Sequence, residues 1–127
     1  MKDIHSGLGV AQGAVPAVLS ATATDTGVDL QGFNSALVIV ATGAIAASGD
    51  FTTKLQESDV EGSGYTDVAA TDLLGSFPAS LEASSVAKVG YVGAKRYIRT
   101  VTTKNSGTSI AAAIVIVKGH PSDAPVA

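Results

Sequence analysis

The sequence predicts an all-β protein: one antiparallel β-sandwich or barrel, jelly-roll-like, spanning residues 28–117, with an extended N-terminal arm over 1–27 and an extended C-terminal tail over 118–127. Three observations predict it. Short runs rich in Val, Ile and Thr are separated by Gly, Asn and Ser. No stretch holds a helical period long enough for an amphipathic helix. The 127 residues suit a single core, since two domains would each be too small.

The elements follow in order. Residues 1–27 are small and turn-prone without a sustained period, which reads as an arm lying on a partner or on its own body. VDLQGF at 28–33 begins the strand pattern, and Gly32 and Asn34 break it before ALVIVA at 36–41. FTTKLQES at 51–58 puts Phe51, Thr53 and Leu55 on one face and Thr52, Lys54 and Gln56 on the other, the period of a half-buried antiparallel strand. Asp67 to Leu74 fits one or two helical turns ended by Gly75, or a strand end and a loop; the piece is too short for periodicity to choose.

GYVGAKRYIR at 90–99 reads as a hairpin: Val89 and Tyr91 end one strand, Gly93, Ala94 and Lys95 form the bend, and Tyr97, Arg99 and Val101 share a face of the next. YIRTVTTK at 97–104, NSG at 105–107 and TSIAAAIVIV at 108–117 read as a second hairpin, with Gly107 supplying a positive φ. Its last strand is apolar on both faces, so it is either covered on both sides or turned toward a neighbouring subunit. Pro121 and Pro125 in KGHPSDAPVA oppose regular pairing and favour an extended strap.

Of 58 apolar residues 21 are alanine, and Ala, Gly, Ser and Thr together make 60 of the 127, so a thin core is expected, with part of the stability coming from surface buried against other chains. The net charge of −3 argues against a free-standing nucleic-acid binder, which needs excess Lys and Arg to displace counterions. Seven acids from Asp50 to Glu82 have only Lys54 as an opposite, and Lys88, Lys95, Arg96, Arg99 and Lys104 follow with no acid among them. This segregation gives either two solvated surfaces or complementary edges of neighbouring subunits.

Motifs for chemistry are absent or incomplete. There is no cysteine, hence no disulfide and no thiolate. His5 and His120 sit in the expected arm and tail without metal-ligand spacing. GxSxG is missing. GLGVAQG is out of register with a dinucleotide loop and follows no strand. GYVGAKRYIR lacks the spacing of a P-loop, and Tyr91 and Tyr97 beside Arg96 and Arg99 make a base-stacking platform only on an otherwise acidic chain. Glu57, Asp59 and Glu61 alternate along extended chain, where they could hold a hard cation such as calcium, although a solvated acidic edge is the ordinary outcome. The longest apolar stretch, ALVIVATGAIAA, is short of the roughly 20 residues of a spanning helix, so a soluble protein is expected. GLGVAQGAVPAVLSATA only faintly imitates a secretion signal, and export is not expected.

Taken together, HSGLGVAQ, VDLQGFNSALVIVATG, FTTKLQESD, DVAATDLLGSFP, GYVGAKRYIR and KGHPSDAP resemble a family of small structural proteins encoded near the major capsid gene of tailed bacteriophages and related prophages. The resemblance covers nearly the whole chain and carries no catalytic signature. Proteins of this kind look like capsid decoration, or cement, proteins, which bind the outside of the expanded shell, often as trimers, and strengthen it. It implies a non-enzymatic protein made in the host cytoplasm and placed on the capsid surface of the virion. Its implied partners are the major capsid protein and copies of itself, with no cofactor, metal, nucleic acid or membrane. The aromatic, guanidinium and aliphatic face of Tyr97, Arg99 and Val101 has the composition of a protein interface. The expected contacts are therefore Tyr91, Lys95, Arg96, Tyr97 and Arg99 on the basic side, Glu57, Asp59, Asp67 and Asp72 on the acidic side, and His120 and Pro121 in the tail. A head-completion, neck or tail component forming rings of six or twelve is the alternative. A host-surface or carbohydrate-binding module, with Tyr65 as its loop aromatic, ranks below both.

Overall fold

Phe51, Thr53 and Leu55 recur at every second position of β5 (Asp50–Ser58), and all three are buried, at 0, 2 and 3 % exposure, as the period of two requires. The structure, a computed structural model, describes residues 3–122. Pro125 of the expected tail lies outside them.

β1 (Gly9–Leu19), β4 (Phe33–Ala46), β7 (Leu73–Leu74), β8 (Val86–Tyr91) and β10 (Ser109–Pro121) form a first sheet in the order β1-β10-β4-β8-β7. β2 (Ala23–Thr24), β9 (Tyr97–Ser106), β5 and β6 (Thr66–Asp67) form a second in the order β2-β9-β5-β6, and β3 (Val28–Asp29) also pairs with β9. Every pairing is antiparallel. No ladder joins the sheets among the described residues, so of the two expected architectures the sandwich forms and the barrel does not. Val38, Val40, Ile110, Ile114 and Ile116 from the first sheet meet Phe51, Leu55 and Ile98 from the second. Thr53 and Thr102 share a hydroxyl–hydroxyl bond of 3.1 Å inside this core. No buried side-chain polar atom among the described residues lacks a partner.

Both expected hairpins are overturned. β8 and β9 lie in different sheets, as do β9 and β10, so 92–96 and 107–108 are crossings from one sheet to the other. A third crossing, at 47–49, carries β4 to β5 with Ala47 and Ser48 both left-handed (φ 49° and 56°). Turn chemistry is the same for a hairpin and a crossing, so strand matching decides. The 13 residues of β10 find the 14 of β4, pairing Ile116 with Val38 and Ile114 with Val40, while the 10 of β9 find the 9 of β5. Gly107 does adopt the expected positive φ, at 77°.

The expected arm is also corrected. Residues Gly9 to Leu19 pair with β10 from Gly9↔Lys118 to Leu19↔Ile110 and are an edge strand of the first sheet. Their small size answers a packing demand, because a Cβ on Gly13 would lie 2.8 Å from Ile114 Cγ2. The described part of the tail is likewise strand: β10 runs on through His120 to Pro121, which stands opposite Phe33. Between Asp67 and Leu74 a single 3-10 turn, Ala70–Asp72, leads directly into β7, and Gly75 (φ 87°) follows.

Candidate functional site

At one end of the sandwich the expected basic and acidic residues meet within the chain. Tyr91, at the end of β8, is 2 % exposed. Its hydroxyl donates to Glu57 Oε1 at 2.9 Å and accepts from the Lys95 N–H at 3.1 Å, tying the first sheet to the second. Burial raises this phenol well above its ordinary pKa. Lys95 Nζ lies 2.9 Å from Asp59 Oδ2, a pair that raises the lysine pKa. Arg96 forks onto Asp29 with two bonds of 2.9 Å, and that contact lowers the Asp29 pKa to about 2. A cavity of about 410 Å³ opens beside these residues, lined by Leu30, Phe33, Ser35, Asp59, Lys95 and Arg96 among others. At the neighbouring strand end His120 (φ 50°) holds Ser35 Oγ through Nδ1 at 2.7 Å, and its carbonyl accepts from Asn34 Nδ2 at 3.0 Å. Pro121 follows in the same strand. The Asp72 carbonyl accepts from the Val92 N–H at 2.9 Å.

A second group occupies the outer face of the second sheet. Arg99 donates through Nε to Gln56 Oε1 at 2.9 Å and lies 4.0 Å over the Tyr65 ring. Gln56 donates in turn to Asp67, whose other partner is Lys54 at 3.1 Å; these bonds lower the Asp67 pKa. Tyr65 gives its hydroxyl to the Glu61 carbonyl at 2.7 Å. Tyr97 and Val101 do share this face with Arg99, each 9 % exposed. Of the two charged segments of the sequence, one ion pair joins them within the chain, Asp59 with Lys95; Asp67 pairs with Lys54 inside the acidic segment, and Arg96 pairs with Asp29, which precedes it. Among the described residues no group of three or more His, Asp or Glu is placed to hold a metal ion, so Glu57, Asp59 and Glu61 do not converge.

A third surface is the outer face of the first sheet. The inward positions of β4 and β10 fill the core, so the alternate ones face outward. There Val10, Val117 and Leu37 form one row across three strands, and Gln12, Val115, Ile39 and Lys88 a second. Ala113, Ala41 and Val86 form a third. Val10, Val15 and Val18 protrude from the β1 side at 70, 68 and 70 % exposure, and Val86 stands 73 % exposed on β8. Beside the valines lies a shallow depression of about 380 Å³ whose lining, Pro16–Val18, Ala41, Gly43 and 111–113, contains no polar side chain. Of these rows only Gln12 and Lys88 are polar. β10, apolar on both faces in the sequence, is buried on one side and open on the other.

No family model matches the chain, and no curated sequence matches it. Among solved structures it is similar to the SPBc2 prophage-derived protein YomS, with a TM-score of 0.55 and 11 % identity over 87 % of this chain and 91 % of that one. That likeness is one of fold. A chain from the structure of infectious bursal disease virus Gx strain aligns with a TM-score of 0.46 and 14 % identity, and 93 % of this chain spans only 33 % of it.

Proposed function

We propose that this is a structural protein of a tailed-phage virion, a decoration protein that sits on the outside of the major capsid protein shell and stabilises it. The observation that carries the reading is the open apolar face of the first sheet. Monomeric proteins rarely leave so broad an apolar plane in water, and a chain built this way belongs in an assembly. The sequence resemblance supports a place near the capsid, and the fold shared with a prophage-derived protein agrees with a phage origin. The described site residues offer contacts and no reactive constellation: Lys95 and Arg96 are each already engaged by a carboxylate of their own chain. The polar end, with Lys95 and Arg96 lining its cavity and His120 and Pro121 at the neighbouring strand end, is the part offered to the shell.

The test is copy number per purified particle, by quantitative mass spectrometry against the major capsid protein. A ratio approaching one to one is expected. A count of six or twelve moves the protein to the neck or tail, and absence from the particle removes the structural reading.

A further inference from the structure

We infer that the outer face of the first sheet is covered by the same face of a second copy of this chain, the two sheets stacked about a two-fold axis. The inference shares with the proposed function the premise that this face is covered, and it does not depend on where in a particle the protein sits.

Shape argues for self-pairing. The face carries both a ridge and a hollow: Val10, Val15 and Val18 project along its β1 side, and the depression floored by Ala41, Gly43 and Ala111 lies next to them. A two-fold rotation sets the ridge of each copy over the hollow of the other, the self-complementarity an isologous interface requires.

The area is sufficient. The three strands that carry the ridge and the hollow, β1, β10 and β4, have 11, 13 and 14 residues; at about 4.8 Å between strands and about 3.3 Å per residue they give a plane of roughly 600 Å² per copy. Two copies then bury roughly 1,200 Å², at the lower end of the range of about 1,200–2,000 Å² for stable specific interfaces.

Electrostatics permits it. Lys88 is the one charge in the rows and lies on β8, toward the edge away from the valine ridge, so the stack buries no pair of like charges at its centre. The interior the stack creates repeats the existing one, Val, Ile, Leu and Ala rows meeting at about 10 Å between sheets.

The full chain at about 50 µM is examined by sedimentation equilibrium beside Ala113→Glu, which sets an unpaired carboxylate in the hollow. The wild type is expected at twice the chain mass, and the variant, with unchanged circular dichroism, at the single mass. A buried unpaired charge weakens such a contact by at least about 100-fold. A wild type that stays at the single mass, or an oligomer that Ala113→Glu leaves intact, overturns the inference.

Should Ala113→Glu fail to fold, Val115→Cys supplies the readout, since the native chain has no thiol to compete. Its alkylation should slow as protein concentration rises, while that of Val60→Cys, exposed elsewhere, stays constant. A Val115→Cys rate independent of concentration overturns the inference. A chain that is monomeric in solution yet present at shell stoichiometry in particles would end the two-fold stack alone and assign the face to the capsid protein.

Discussion

Substituting Gly107 by asparagine separates a hairpin from a crossing between sheets. In a hairpin loop the residue needs only a left-handed backbone, which Asn tolerates, and Gly107→Asn would cost less than about 1 kcal/mol. Here the turn at 107 packs against the crossing at 47–49. A Cβ on Gly107 would press on the Ser48 carbonyl and lie 2.5 Å from both Gly49 N and Gly49 Cα, all backbone atoms that cannot swing aside. Overpacking of this kind costs about 1–3 kcal/mol, and an alanine adds about 1–2 kcal/mol for its left-handed backbone. Gly107→Asn should therefore lose about 2–3 kcal/mol and Gly107→Ala about 3–4 kcal/mol, or roughly 8–16 °C in Tm at about 4 °C per kcal/mol for a chain of this size. Gly32 supplies the control, with φ 91° and nothing within 4 Å of an added Cβ, so Gly32→Asn should stay within about 1 kcal/mol of wild type. Thermal and urea unfolding monitored by circular dichroism gives the values. Equal, small losses for Gly107→Asn and Gly32→Asn would refute the packed crossing.

Two further outcomes follow from the polar end. Tyr91→Phe removes the hydroxyl that joins Glu57 to the Lys95 backbone and should cost about 1–2 kcal/mol, or roughly 4–8 °C in Tm, by thermal unfolding; an unchanged Tm would show that this link does not hold the sheets. Asp29 has a folded pKa of about 2, below its ordinary 3.8, so the stability it contributes is complete above about pH 4 and is lost as pH falls toward 2. Asp29→Asn should remove that part of the acid slope while leaving the slope above pH 5 alone, measured as Tm between pH 2 and 6; a slope identical to wild type would mean that Arg96 does not hold the carboxylate.

Period two is a local property, and it made β5 legible: Phe51, Thr53 and Leu55 face inward as their spacing requires. The left-handed Gly107 was legible for the same reason. Sheet membership is not local. NSG describes the bend after β9 but not which strand β10 joins, and that choice rests on the length and apolar pattern of β4, some seventy residues earlier. β1 was hidden because Ala11, Gly13 and Ala14, which look like flexible chain, are the residues that fit against Ile114 and Ile116. At the polar end the cluster of Lys95 and Arg96 could be read, but the Asp29 that Arg96 grips is 67 residues away, beyond any reading of neighbouring charges.

The two sheets use the same alternation and make opposite choices on the outside. Along β5 the outward positions are Thr52, Lys54 and Gln56, and β9 adds Arg99 and Thr103 around the largely covered Tyr97 and Val101, a mostly polar outer face. Along β4 and β10 the outward positions are Leu37, Ile39, Val115 and Val117, as apolar as the inward ones. The abundance of alanine and the shortage of large side chains, which from composition alone suggest a thin core, are in part a property of this surface: Ala41, Ala111 and Ala113 flatten it, while Phe51, Tyr91, Ile98 and the isoleucines of β10 fill the interior. Residues chosen for a dry interior on both faces of one sheet, beside a sheet chosen for water on its outer face, are what a plate needs when one side is solvated and the other is stacked. The pairing of two such plates requires no residue that the chain lacks, since the valine ridge and the alanine hollow are already on the same face.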